Sequence, residues 1–119
     1  MPLATAGEAA ALAALLASRY LSLHTGIPTG GNEVATGSYA RQAAGTWTDT
    51  GNNPTVATND ALITFPTATA DWGAITYFGI YDAVSGGNLI AYAATSVTKT
   101  VLNGDIARFP IGSLSVSVD

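Results

Sequence analysis

Residues 75–94 read ITYFGIYDAVSGGNLIAYAA. Ile75–Asp82 has the residue types of a β-strand, with Ile75, Tyr77, Gly79 and Tyr81 on one face and Thr76, Phe78 and Ile80 on the other. Both faces are largely apolar, which predicts an interior strand rather than an edge. Ser85-Gly86-Gly87-Asn88 supplies the positive φ that a tight hairpin turn demands. Leu89–Ala94 is then expected to return antiparallel beside Ile75–Asp82.

The chain on either side has the same texture of Thr, Val, Ile, aromatic residues and Gly-containing turns. Upstream, Arg19–Leu23 reads as a first strand, followed by a loop over His24–Gly37. Ser38–Ala44 reads as a second strand with Tyr39, Arg41 and Ala43 on one face, and Asp49–Pro54 (DTGNNP) as a turn. Ala61, Ile63 and Phe65 alternate with Leu62 and Thr64 until Pro66 closes the strand. Downstream, Val97–Leu102, the Asn103-Gly104 turn and Asp105–Phe109 read as a second hairpin. Leu114, Val116 and Val118 alternate with serines in a last, half-exposed strand. Seven or eight short strands at spacings of roughly 8–12 residues predict a mainly β fold, an antiparallel β-sandwich or a jelly-roll-like barrel.

Residues 1–18 differ. Thr5 and Glu8 have capping-box spacing, Ala dominates residues 9–17, and Arg19 suits the C-terminal end of a helix dipole. Leu12, Leu15 and Leu16 form one stripe, while Ala9, Ala10, Ala13, Ala14 and Ala17 leave the remaining faces without charge. A short helix apolar nearly all round packs on a sheet, and also between subunits where its back is buried too. The expected organisation is thus a packing or attachment helix (1–18) and an antiparallel β-domain (19–119). AAALAALLA at 9–17 resembles a signal-peptide core, but it comes after Glu8 and no Lys or Arg, so it reads as mature protein.

Composition removes several function classes. Charged residues make up 10% of the 119 residues, against roughly 25% on average. Twelve charges on about 6,000 Å² of surface are a thin coat for a free monomer. The basic residues are Arg19, Arg41, Lys99 and Arg108 and the net charge is −4, so one chain cannot assemble a nucleic-acid-binding patch. Without cysteine there is no disulfide, thiolate metal site or thiol nucleophile, and a single histidine, His24, cannot make a multi-histidine site. No stretch reaches the roughly 18 apolar residues of a membrane span. No cofactor fingerprint occurs.

His24 lies at a strand end with no nucleophile elbow elsewhere, which reads as a polar surface residue rather than a triad member. Asp49, Asp60, Asp71, Asp82 and Asp105 all sit beside turns, where Asp bonds to nearby backbone. No enzyme is expected. Trp47, Trp72 and the five tyrosines read as core or interface aromatics, with a sugar-binding platform as the alternative. Arg41, among apolar residues, calls for a carboxylate: Asp71 or Asp82 within the chain, or a group on another subunit.

Four blocks, GSYARQA (37–43), ITFPTATADWG (63–73), YFGIYDA (77–83) and GGNL (86–89), resemble in order and spacing a family of small virion proteins of tailed phages, usually labelled tail fibre proteins. The resemblance spans residues 20–119, and it implies a virion structural role with no catalytic residues. The expected function is a non-enzymatic fibre or tail component, or a capsid decoration protein, on the outer surface of the particle. Its expected partners are other virion proteins and further copies of itself, a trimer favoured. Leu12, Leu15, Leu16, Arg41, Trp47 and Trp72 are the candidate interface residues. A carbohydrate-binding module of an adsorption apparatus, using Trp47 or Trp72 on a host-surface glycan, is the alternative.

Overall fold

The structure, a computed structural model, describes residues 5–49 and 55–118. Helix α1 (Thr5–Leu16) is followed by β1 (Tyr20–His24), a 3₁₀ turn at Pro28–Gly30, β2 (Gln42–Ala43), β3 (Trp47–Asp49) and β4 (Thr55–Asn59). Then come β5 (Ile63–Thr64), β6 (Gly73–Tyr81), β7 (Leu89–Val101), β8 (Arg108–Phe109) and β9 (Ser115–Val118). All pairings are antiparallel, in sheets ordered β2-β1-β6-β7, β3-β4-β9 and β5-β8. The expected mainly β, antiparallel fold with one short N-terminal helix is the fold observed. The three sheets enclose a single core that includes Leu21, Leu23, Ile75, Phe78, Ile80, Phe65, Phe109 and Val116. Burying each large apolar side chain there contributes about 1.5–3 kcal/mol.

β6 is interior, bonded to β1 on one edge and β7 on the other. Its partner returns through a turn in which Gly86 (φ 64°) and Gly87 (φ 71°) take the left-handed conformation. One detail differs from strict alternation. The register shifts between Ile75 and Tyr77, and Ile75 joins Phe78 and Ile80 in the core instead of facing out with Tyr77.

Other differences have similar causes. The expected strand at Ser38–Ala44 is reduced to Gln42–Ala43, because the chain turns at Gly37 and Ser38, with φ of 65° and 66°. Leu89–Val101 is one irregular strand along β6, not two. The turn after it closes with Asp105 N–H on Leu102 O (2.9 Å), but the return segment pairs with β5 rather than forming the expected second hairpin. β3 and β4 were not expected; they pair with each other, and β9 completes their sheet. Asp49 closes β3, and the rest of the expected turn, residues 50–54, lies outside the described residues.

Asn59 ties this second sheet to its neighbours. Its buried amide donates to Ala61 O and Pro110 O (both 3.0 Å), and its Oδ1 accepts from Leu114 N–H (3.0 Å). Leu62 and Ile111, three residues after Asn59 and one after Pro110, remain 54% and 69% exposed.

Helix α1 contacts β3, β4 and β9. Ser18, at φ 53°, ends the helical path, and Arg19 turns back to donate Nε–H to Leu15 O (2.8 Å), as its position by the dipole predicts. The side chains of Thr5, Glu8 and Leu12, and residues 1–4, lie outside the described residues.

Candidate functional site

One side of α1 is committed to the chain's own sheet: Leu16 is buried and Leu15 half-buried. Ala10 and Ala14, spaced i, i+4, are exposed on the helix, and Ala17, just past its last residue, is exposed as well. Packing on the sheet is therefore part of the helix's role, and among the described residues its other side carries exposed methyl groups and no charge.

Arg41 occupies a different position from the one expected. Its partner is Glu33, not Asp71 or Asp82. Nε–H meets Oε2 and Nη2–H meets Oε1, both at 2.8 Å, a bidentate pair whose arginine side chain is 9% exposed. Nη1 donates to Ala83 O (3.0 Å) and Gly86 O (2.7 Å), and the guanidinium lies 3.6 Å above the Tyr81 ring. Arg41 thus fastens the loop carrying Glu33 to the β6–β7 hairpin. Asp71 instead accepts from Asn103 N–H, and Asp82 closes its own turn on Asn88 N–H (2.7 Å). The Asn88 N–H and, next, the Asn88 side-chain amide (3.1 Å to Oδ2) hold Asp82 below its usual pKa.

Glu33 also accepts from Tyr39 Oη (2.6 Å), which in turn accepts from Leu23 N–H (3.0 Å). Burial pushes the Glu33 pKa up, but the bonds from Arg41 and Tyr39 outweigh it and leave the carboxyl below its ordinary 4.5. Burial, then Glu33, hold the Tyr39 hydroxyl far above its usual range, so it stays protonated. The Tyr39 ring meets Phe65 (6.0 Å, stacked) and Trp72 (5.4 Å, edge-on), joining the polar cluster to the aromatic core.

His24 is fully buried rather than a surface residue. Gly31 O can only accept, so Nδ1 carries the proton at 2.8 Å, and Nε2 accepts from Ser22 Oγ at 2.8 Å. Burial is the largest influence on its pKa, which lies below 6.5, so the ring is neutral near pH 7. Ser22 and His24 have the spacing of a nucleophile–base pair, yet both are 0% exposed, and Nδ1 faces a carbonyl rather than a carboxylate. The signal was present in the sequence, since Ser22 and His24 are two apart and share a strand face.

Trp72 is a core residue, 5% exposed, donating Nε1–H to Gly37 O (3.0 Å); it offers no face to a sugar. Trp47 is half-buried at the start of β3, with Nε1 buried and without a hydrogen-bond partner among the described residues. Among the described residues no three of His, Asp and Glu converge to hold a metal ion, and no helix is long and apolar enough to cross a membrane.

The family model described as podophage GP4 fiber I protein gp80 matches residues 4–117. The chain belongs to this phage fibre family. The match takes in the helix together with every described β-strand but for the last residue of β9, so it extends the resemblance read from residues 20–119 to the N-terminal segment. No curated protein matches the chain.

Proposed function

We propose that the chain is a non-enzymatic structural protein of the phage particle, present in several symmetric copies on the outer surface of tail or capsid. Residues 1–18 serve as the attachment element, and the β-domain (19–119) faces outward or makes the contacts between copies, three-fold symmetry being the favoured arrangement. Membership of a phage fibre family supports the virion role. The observation that carries the attachment reading is the exposure of Ala10 and Ala14 on the helix, and of Ala17 just past its end, while Leu16 of the same helix is buried and α1 packs on a sheet. Methyl groups permit close approach and lose almost no side-chain entropy when a second surface covers them. The exposed Leu62 and Ile111 are further apolar area for contacts between subunits. Arg41 and Trp72 are satisfied within the chain, so the contact rests on the helix, with Trp47 in the adjoining sheet. The reading is tested with Ala10→Glu/Ala14→Glu. The variant should fold with an almost unchanged Tm while its incorporation into particles drops; undiminished incorporation, or loss of the fold, contradicts it.

A further inference from the structure

β7, with thirteen residues the longest strand described, stands at the end of its sheet. β6 bonds one of its edges, and the other has no strand partner. Among the described residues no backbone hydrogen bond besides those to β6 reaches Leu89–Thr98. That stretch reads LIAYAATSVT, ten residues without a charge, a proline or a glycine. An open edge is a template for another strand, and soluble proteins blunt it with Lys, Pro or a very short strand. None of these protects Leu89–Thr98. The register shift opposite Ile75–Tyr77 falls within the stretch, and Val97 there is 70% exposed. Tyr92, on the same strand, is 44% exposed.

We propose that this edge pairs antiparallel with the same edge of a second copy, so that two four-stranded sheets continue into one another. The proposal rests on the reading that the chain works in several copies, but not on the helix contact, because α1 packs on β3, β4 and β9. Charge is what selects a second copy as the partner. Lys99, the first residue after the uncharged run, forms no ion pair among the described residues. Asn88, the last residue before it, is held by the carboxylate of Asp82, which forms no ion pair there either. Laying the ten residues on themselves about a two-fold axis between Ala93 and Ala94 sets Lys99 of each copy opposite Asn88 of the other, beside Asp82. An ion pair then closes each end, and no like charges face each other along the run. The same register sets the exposed Val97 opposite Ile90 and Tyr92 opposite Thr95. Ten paired residues supply about ten backbone hydrogen bonds. A foreign strand would find the same backbone groups but no match of charge at both ends. Being two-fold, the contact joins chains, or assemblies formed through another surface, in pairs.

The chain has no cysteine, so single thiols can report the register. Ala94 and Thr98 are both exposed. In the proposed pairing the two copies of residue 94 lie within about 7 Å of each other, and the two copies of residue 98 about 30 Å apart. Full-length Ala94→Cys should therefore be joined into a two-chain product by a short bismaleimide, in solution and in particles, and Thr98→Cys should not. Adding Val97→Lys, checked for unchanged Tm, puts a cation into the edge and should reduce the Ala94→Cys product at least about tenfold. Lys99→Glu, checked in the same way, should reduce it about fivefold by setting like charges together. Sedimentation of the same samples separates the two ways of failing. Oligomers in which Ala94→Cys stays unlinked would overturn the β7 contact and leave the multi-copy reading in place, whereas a monomer would overturn both. Equal linking of Thr98→Cys, undiminished linking in folded Val97→Lys, or linking of Ala94→Cys to a different virion protein in particles would overturn the proposal as well.

Discussion

Arg41 grips Glu33 through two parallel bonds of 2.8 Å and, with its remaining nitrogen, holds the carbonyls of Ala83 and Gly86 forty-odd residues downstream. The pair is mostly buried, so its two halves are unequal to remove. Glu33→Gln leaves a guanidinium without its anion and should cost about 3 kcal/mol in chemical denaturation, as should Arg41→Ala. The double variant should cost clearly less than the sum of the two. Additive losses would show that the pair is not coupled.

Acid should loosen the same region. His24 has a folded pKa below 6.5, so its contribution is complete above pH 6.5 and is lost as pH falls through the folded value, where the unfolded chain already binds a proton. Glu33, also lowered, contributes fully above pH 4.5 and loses its contribution as pH falls further. Tm should therefore decline in two stages below pH 6.5, and His24→Gln should flatten the upper one. An upper stage of unchanged slope in that variant would remove His24 from the account.

Gly79 lies where β6 crosses the Ser22–His24 pair. A methyl group there would sit 2.5 Å from Ser22 Oγ and 3.0 Å from His24 Nε2. Gly79→Ala should destabilise the fold by about 1–3 kcal/mol and lower Tm by several degrees. A Tm equal to the parent's would mean that the pair is not packed as described.

These features were unevenly legible in the sequence. Ile75–Asp82 and its Gly86-Gly87 turn could be read because two apolar faces and paired glycines admit few other structures. The side on which Ile75 lies could not be read, because a register shift leaves no mark in periodicity. β3 and β4 are built of Thr, Ala and Asn around Trp47 and Val56, a weak pattern that becomes sheet only when β9 pairs with it. Arg41 showed its need for a carboxylate through its apolar neighbours. Its partner stayed hidden because Glu33 sits in a Gly/Thr/Asn-rich loop whose path is set by tertiary contacts. The same loop buries His24, whose neighbours in sequence suggest exposure.

Self-association is expected from the thin charge coat and the open alanine face. Sedimentation of purified protein at micromolar concentration should show an oligomer, three chains being the favoured number. A stable, soluble monomer at micromolar concentration would count against self-association.

Electron microscopy of intact phage particles tests the central claim most directly. The account predicts symmetric copies of this chain on the outer surface of tail or capsid, with Ala10, Ala14 and Ala17 of each copy buried against a neighbouring subunit. Particles that lack the chain, or copies whose α1 alanine face is turned to solvent while another surface makes the attachment, would contradict it.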